Sequence, residues 1–451
     1  MVSSFLVADP GGLAATARAR VLPPTPRRDK KVLFSAKTIR SRHLMARGSM
    51  AVGIMAAAAL GAVLAAPGVA GASSATHPAT LPAVTIGLIS DGGGGSSIGT
   101  ASLVEQGAKA AVAYQNEYGD GLDGHKISLY ICENQSTPAG GQTCANDMVQ
   151  HGVVAVVEPF TGQGATEVPT ITGAGIPYIT LSGASTAELT TPGAFALTGG
   201  FPADLGAEAL SAKQHGYTHV TFLVDNVPAA IQGAQVLGGL VFKAAGVGFT
   251  VIPVNGGTAD MSPQLQSAVS GGADAVGMVG DVTFCSSFLQ AYNTLDLKLP
   301  RYMLSTCLDP SILDSATLDK ALAGSIVATT TQPSKFDLAS YAAIIKKYLP
   351  KVSTNPNVSS NEASGVSPVL ALAAIMKGST DPVTAAGIKT QTETAKNVVI
   401  PLSGGLTFTC NGTAIPLLKS VCSSSSALGI IQSGKTGKVA SIKVYDPTPL
   451  F

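Results

Sequence analysis

Val84-Thr85-Ile86-Gly87-Leu88-Ile89-Ser90 is an apolar run that reads as a buried strand, and its ending decides the fold. It runs into the tip Asp91-Gly92-Gly93-Gly94-Gly95-Ser96-Ser97-Ile98-Gly99. A helix follows, with Ser102 and Glu105 at capping-box spacing and Leu103, Gly107, Ala110, Tyr114 and Tyr118 on one face. Strand, glycine tip and helix make half of a βαβ unit. In open parallel sheets a ligand sits at such tips, outside the carboxyl ends of the strands.

The same alternation repeats downstream. The turn 119–124 leads into a strand at 126–131, and Thr137 and Pro138 then stand as cap and first residue of a helix ending at His151-Gly152. The wholly apolar run 153–157 has the character of a central parallel strand. Glu158-Pro159-Phe160-Thr161-Gly162-Gln163-Gly164 is the next tip, and the strand 178–181 leads to Ser182-Gly183-Ala184-Ser185. The pattern restarts near Gly199-Gly200, with strands expected at 220–224, 249–254, 275–279, 302–304 and 326–329. Helices are expected near 341–348 and 367–376, then short strands and turns from Gly405, ending in a strand at 439–445. Such alternation predicts an α/β architecture with mainly parallel sheets. Its length exceeds what one core comfortably supports, so two lobes are expected.

The first 72 residues read as targeting sequence. Ten Lys and Arg between Arg18 and Arg47 precede an uncharged apolar run, 51–66, and Ala70-Gly71-Ala72 fits a signal-peptidase site before Ser73. Translation from Met45 or Met50, and retention as an uncleaved anchor, are the alternatives. Of 28 Lys/Arg and 27 Asp/Glu, ten and two lie in 1–47, leaving 18 against 25, a net of −7. An acidic body without basic stripes suits neither nucleic acid nor an anionic membrane.

All six cysteines lie beyond the leader in neighbouring pairs: Cys132 and Cys144, Cys285 and Cys307, Cys410 and Cys422. Of fifteen possible pairings, the in-order one is simplest for a chain exported into an oxidising space. Zinc wants closely spaced cysteines or nearby histidines, which this pattern lacks, so neither metal nor cofactor is expected. No cysteine sits just after the apolar run, and a lipid anchor is not expected.

The ordered set of segments resembles the type I periplasmic binding proteins, in the branched-chain amino-acid-binding branch of the ABC-transporter solute receptors. The residues that carry the likeness are Ile86-Gly87 with its tip, Gly107-Ala108-Lys109-Ala110-Ala111, Gly121-Leu122-Asp123-Gly124-His125-Lys126-Ile127, and 153–157 with Thr161-Gly162. Gly175-Ile176-Pro177-Tyr178-Ile179, Gly216-Tyr217 and Ala273-Asp274-Ala275-Val276 continue it. It covers 82–330 well and the remainder loosely. The resemblance implies two Rossmann-like lobes joined by three crossovers, 82–200 plus 330–403 and 201–329 plus 404–451. Gly199-Gly200 and 329–333 are then the hinge candidates. It further implies a secreted monomer that closes on a small molecule and presents it to a membrane ABC permease. A sensor of the same fold serving a signalling partner is the alternative.

Carboxylates suit helix N-termini, where backbone N–H groups converge. In the resembled family the corresponding tips hold a ligand's α-carboxylate and amino group. That places Thr161, Gly162, Gln163, Ser182, Ala184 and Ser185 at the site, with Ser96 and Ser97 on the first tip. From the second lobe come Asp225, Asn226 and Asp281, Asp281 being the candidate partner of an ammonium group. Helix capping is the competing role for the Thr, Ser and Asp residues. The chain departs from the family where Glu158 stands in place of a common glycine. It departs again at Val227-Pro228 and the Cys285–Cys307 region, where an aromatic-Gly pair and later tip residues are usual.

Gly95-Ser96-Ser97-Ile98-Gly99 also matches G-x-S-x-G. A hydrolase of that type needs a histidine later in the chain, and none occurs in the last 232 residues. No enzyme activity is therefore expected.

Overall fold

The computed structural model describes residues 77–92, 98–329, 335–434 and 437–451. The expected leader, Ser96 and Ser97, and most of the hinge candidate 329–333 lie outside the described residues.

The first lobe opens with β1 (Leu81–Ser90), α1 (Ile98–Tyr118), β2 (His125–Glu133) and α2 (Pro138–Gln150). It continues through β3 (Val156–Glu158), α3 (Gly164–Gly173), β4 (Tyr178–Thr180), α4 (Thr186–Thr190) and β5 (Ala194–Ala196). The strands form a parallel sheet in the order β2-β1-β3-β4-β5. As the sequence predicts, Thr137 caps α2, accepting from Gly140 N, with Pro138 as first residue. The capping box expected at Ser102 and Glu105 does not form, because α1 begins at Ile98 and both residues lie inside it. Glu105 instead accepts from Ser90 Oγ at 2.8 Å, tying the helix to the end of β1.

The second lobe begins with α5 (Gly200–His215), β6 (His219–Asp225), α6 (Pro228–Gln232), α7 (Gly239–Ala245) and β7 (Gly248–Val254). It proceeds through α8 (Ser262–Ser270), β8 (Ala275–Val279), α9 (Val282–Thr294), β9 (Arg301–Leu304), α10 (Pro310–Leu313), α11 (Ala316–Leu322) and β10 (Ile326–Thr329). The chain then returns to the first lobe as α12 (Lys335–Tyr348), α13 (Ser360–Met376), α14 (Ala385–Thr394) and the small pair β11 (Val398–Val399) and β12 (Thr407–Phe408). Finally β13 (Ser426–Ile431) and β14 (Val439–Tyr445) complete a seven-stranded sheet, β14-β13-β10-β9-β8-β6-β7, antiparallel only at β13 and β14.

Each sheet has its own core. Ile86, Leu88, Val157 and Ile179 pack with Tyr341, Ile344, Val366 and Leu372 in the first lobe, so α12 and α13 belong there. Two further cores, one built on Phe288 and Met303 and the other on Phe222, Phe242 and Tyr302, cover the faces of the second sheet.

One boundary differs from expectation. The stretch 404–422 stays with the first lobe, and the chain recrosses only between Cys422 and Ser426. Phe408, Cys410 and Cys422 lie in the first core, and Val421 bridges to Ala196 beside β5. The cause is local: Ile415, Leu418 and Val421 bury against Leu189 and Ala196.

The three in-order cysteine pairs are the ones that form, Cys132–Cys144, Cys285–Cys307 and Cys410–Cys422, with Cα separations of 5.5, 5.6 and 4.3 Å. No helix among the described residues is long and apolar enough to cross a membrane.

Candidate ligand-binding cleft

Both sheets contain a point where the strand order reverses. In the first, β1 lies between β2 and β3; in the second, β6 lies between β7 and β8. A crevice opens outside the carboxyl ends of the strands at such a point. The tips there are 91–92 and 159–163 on one wall, and 225–227 and 280–281 on the other. The walls meet: a methyl group on Gly162 would stand 3.8 Å from Val227 Cγ1.

The first wall is organised by Asp91. Its Oδ1 accepts from Asn134 Nδ2 at 2.6 Å and from Thr161 Oγ1 at 2.8 Å, and its Oδ2 accepts from Gly162 N at 2.9 Å. Thr161 Oγ1 in turn accepts from Gln163 N, at the entry to α3. Asn134 is fully buried and also donates to Glu167 Oε1 at 2.9 Å.

Beneath this tip lie three buried glutamates without a basic partner in their hydrogen-bond network. Glu158 accepts from Tyr178 Oη at 2.7 Å. Burial pushes its carboxyl well above the ordinary range, and the charges of Glu167 and Asp91 push further the same way. Glu167 is raised to about 7, mainly by burial, against the opposing pull of the Asn134 hydrogen bond. Glu188 is also raised to about 7 by burial, against the opposing pull of backbone N–H donation from Ser185 at 2.8 Å and Ala184 at 3.2 Å.

The expected site residues divide by what holds them. Thr161 and Gly162 lie at the crevice with their donors directed at Asp91. Gln163 precedes α3 without a side-chain capping bond. Ser185 caps α4 in a box with Glu188, so its hydroxyl accepts from Glu188 N. Ala184 is buried with Phe201 and Leu205 of the second lobe, at the junction of the lobes. Ser182 is half-buried, and a methyl on Gly200 would come within 3.3 Å of its Cα.

On the second wall, Asp225 is half-buried, and burial and the charge of Asp281 raise its carboxyl. Asn226 is exposed and donates to Asn255 Oδ1 at 3.0 Å. Asp281 caps α9, accepting from Phe284 N and Thr283 Oγ1 through Oδ1. Sequence reasoning missed Asp91 and Asn134. The available signal for Asp91 was its place as the first residue after a buried strand. Phe160, 53 % exposed on the β3 tip, is a second residue not singled out.

Among the described residues no group of His, Cys, Asp and Glu is arranged to hold a metal ion. Gly200, in the first hinge candidate, has φ +54°, a left-handed conformation that favours glycine.

The family model described as "Periplasmic binding protein" matches residues 83–416. No curated protein matches the chain. Among solved structures, the chain is similar to the leucine-binding protein LivK of Thermotoga maritima, with 18 % identity and TM-score 0.65 over 81 % of this chain and 99 % of that one. It is similar to the branched-chain amino acid transporter substrate-binding protein LivJ of Streptococcus pneumoniae in complex with isoleucine, at 19 % identity and TM-score 0.62 over 81 % and 100 %. A Rhodopseudomonas palustris solute-binding protein of an ABC transporter, in complex with 4-hydroxybenzoate, matches at 15 % identity and TM-score 0.64 over 81 % and 98 %. At these identities the likeness establishes the fold. Taken with the family match over most of its length, it shows that the chain belongs to the type I periplasmic binding proteins, extracytoplasmic ligand receptors that are not enzymes.

Proposed function

We propose that this receptor captures a small polar metabolite, an amino acid or amide-like compound, between its two lobes and delivers it to an ABC-transporter permease as a soluble, non-lipidated monomer. The observation that carries the reading is the meeting of the two switch-point tips, Gly162 of one sheet beside Val227 of the other. Polar groups from both walls, Ser182 and Asp225 among them, are then the ones that a small ligand between the lobes would meet. A ligand that touches both walls favours the closed form in proportion to its differential affinity, and closure becomes the signal read by the permease. Leucine, isoleucine and 4-hydroxybenzoate, named with the related structures, mark the size class.

The test is a thermal-shift screen of amino acids, amides, aromatic acids and polyols against the chain from Ser73. A ligand at 100 times its dissociation constant adds about 2.7 kcal/mol. Ser182→Ala and Asp225→Asn should each weaken the hit while leaving the unliganded melt in place. A hit that both variants retain at full strength overturns the site.

A further inference from the structure

Three donors converge on one side chain at the first wall. Asn134 Nδ2, Thr161 Oγ1 and Gly162 N, from the tips after β2 and β3, all point at the carboxylate of Asp91, at 2.6, 2.8 and 2.9 Å. Asn134 is fully buried and Thr161 nearly so, which fixes the direction of their donors. This is a carboxylate-shaped cradle, and the protein itself fills it. Ser136 Oγ holds the backbone of the same residue by donating to Asp91 O at 3.0 Å. The filled cradle borders the gap, since a methyl on Gly162 would lie 3.7 Å from Asp91 Oδ2 and 3.8 Å from Val227 Cγ1 of the opposite wall.

A second observation concerns charge. The described residues at the carboxyl ends of β1, β2, β3, β4, β6 and β8, 91–92, 134–137, 159–163, 182–185, 225–227 and 280–281, hold Asp91, Asp225 and Asp281 and no Lys, Arg or His. Asp225 and Asp281 are close enough for one charge to raise the other's carboxyl. A ligand carboxylate entering here meets neither a cation nor the backbone N–H of Gly162, and it stands beside a fixed negative charge.

We propose that Asp91 is the charge filter of this receptor: by occupying the Asn134–Thr161–Gly162 cradle it makes the first wall an acceptor surface, selecting ligands that present an ammonium, amide or hydroxyl donor there and rejecting a carboxylate. This rests on the receptor reading above and narrows its ligand to the donor-bearing, amide-like class.

Two measurements test it. The first needs no ligand. Asp91→Ala empties the cradle, and its melting is followed in sodium acetate and in sodium chloride at equal ionic strength. The wild type should melt alike in both salts. The variant should melt several degrees lower in chloride and recover part of the loss in acetate, which supplies the missing carboxylate. A variant with no acetate-specific gain overturns the cradle.

The second uses matched pairs, leucine with leucinamide and 4-hydroxybenzoate with 4-hydroxybenzamide, by calorimetry on the wild type and on Asp91→Asn, which keeps the side-chain shape without the charge. The wild type should favour an amide over its acid by at least about tenfold, and Asp91→Asn should narrow that gap by about tenfold. An acid bound by the wild type as tightly as its amide overturns the filter and leaves the receptor reading standing. Acetate recovery in Asp91→Ala, with no binding of these four compounds or of any in the wider screen, supports the filled cradle and counts against the receptor reading.

Discussion

At Gly200 the backbone has φ +54°, and a methyl there would press to 2.9 Å from Gly183 O. Gly200→Ala therefore combines left-handed strain with a clash against another backbone. It should cost about 1–3 kcal/mol, read as a lower melting temperature. The buried acids make a second prediction at this scale. Glu167 and Glu188 are raised to about 7 and Asp204, half-buried on α5, to about 7, each chiefly by desolvation. Their folded values lie above their unfolded ones, so the folded form holds more protons between about pH 4.5 and 7. Their contribution is complete below that window and is lost as pH rises through about 7. The melting temperature should fall from pH 5 to pH 8, and Glu188→Gln, which keeps an acceptor for Ser185 N and Ala184 N, should flatten the fall. Residue roles of this kind were legible in the sequence only where they are local. Thr137 and Pro138 announce α2 because a cap and its helix are adjacent. Asn134 and Asp91 are 43 residues apart, and no spacing rule joins them.

Helices α1 and α13 cross where two glycines let their backbones touch. A methyl on Gly107 would lie 2.0 Å from Glu362 O, and one on Gly365 would lie 2.0 Å from Val104 O. Neither backbone can yield without separating the helices, so Gly365→Val should destabilise by about 3 kcal/mol and expose the first core, seen as an earlier denaturant midpoint. The disulfides act at the same scale, fastening β2 to α2, α9 to the segment after β9, and the two ends of the loop before β13. Cys132→Ser with Cys144→Ser should cost roughly 3 kcal/mol by the loop-entropy argument, measured by denaturation against the intact chain. The strands of both sheets were readable as apolar runs, 275–279 and 326–329 to the residue, because burial on both faces leaves a continuous signature. The start of β1 was not, since 81–83 are exposed. Nor was the allegiance of 404–422, because Ile415, Leu418 and Val421 find their partners at Leu189 and Ala196, far away in the chain.

For the whole molecule, the path matters more than any one element. The chain passes between the lobes after Ala196, after Thr329 and after Cys422, so each lobe is assembled from separated segments around its own core. Asp204 accepts a hydrogen bond from Ser426, joining the first and last of these crossings. That division was legible from length and from the repeated strand, tip and helix; the charge of the gap was not, because it depends on which tips meet. The central claim is that one ligand is held by both walls at once. Amide hydrogen exchange of the chain from Ser73, with and without a saturating thermal-shift hit, tests it directly. The account predicts slowed exchange in both 159–164 and 225–228, with the outer helices α2 and α8 unchanged. Slowing confined to one lobe, or located away from these tips, contradicts it.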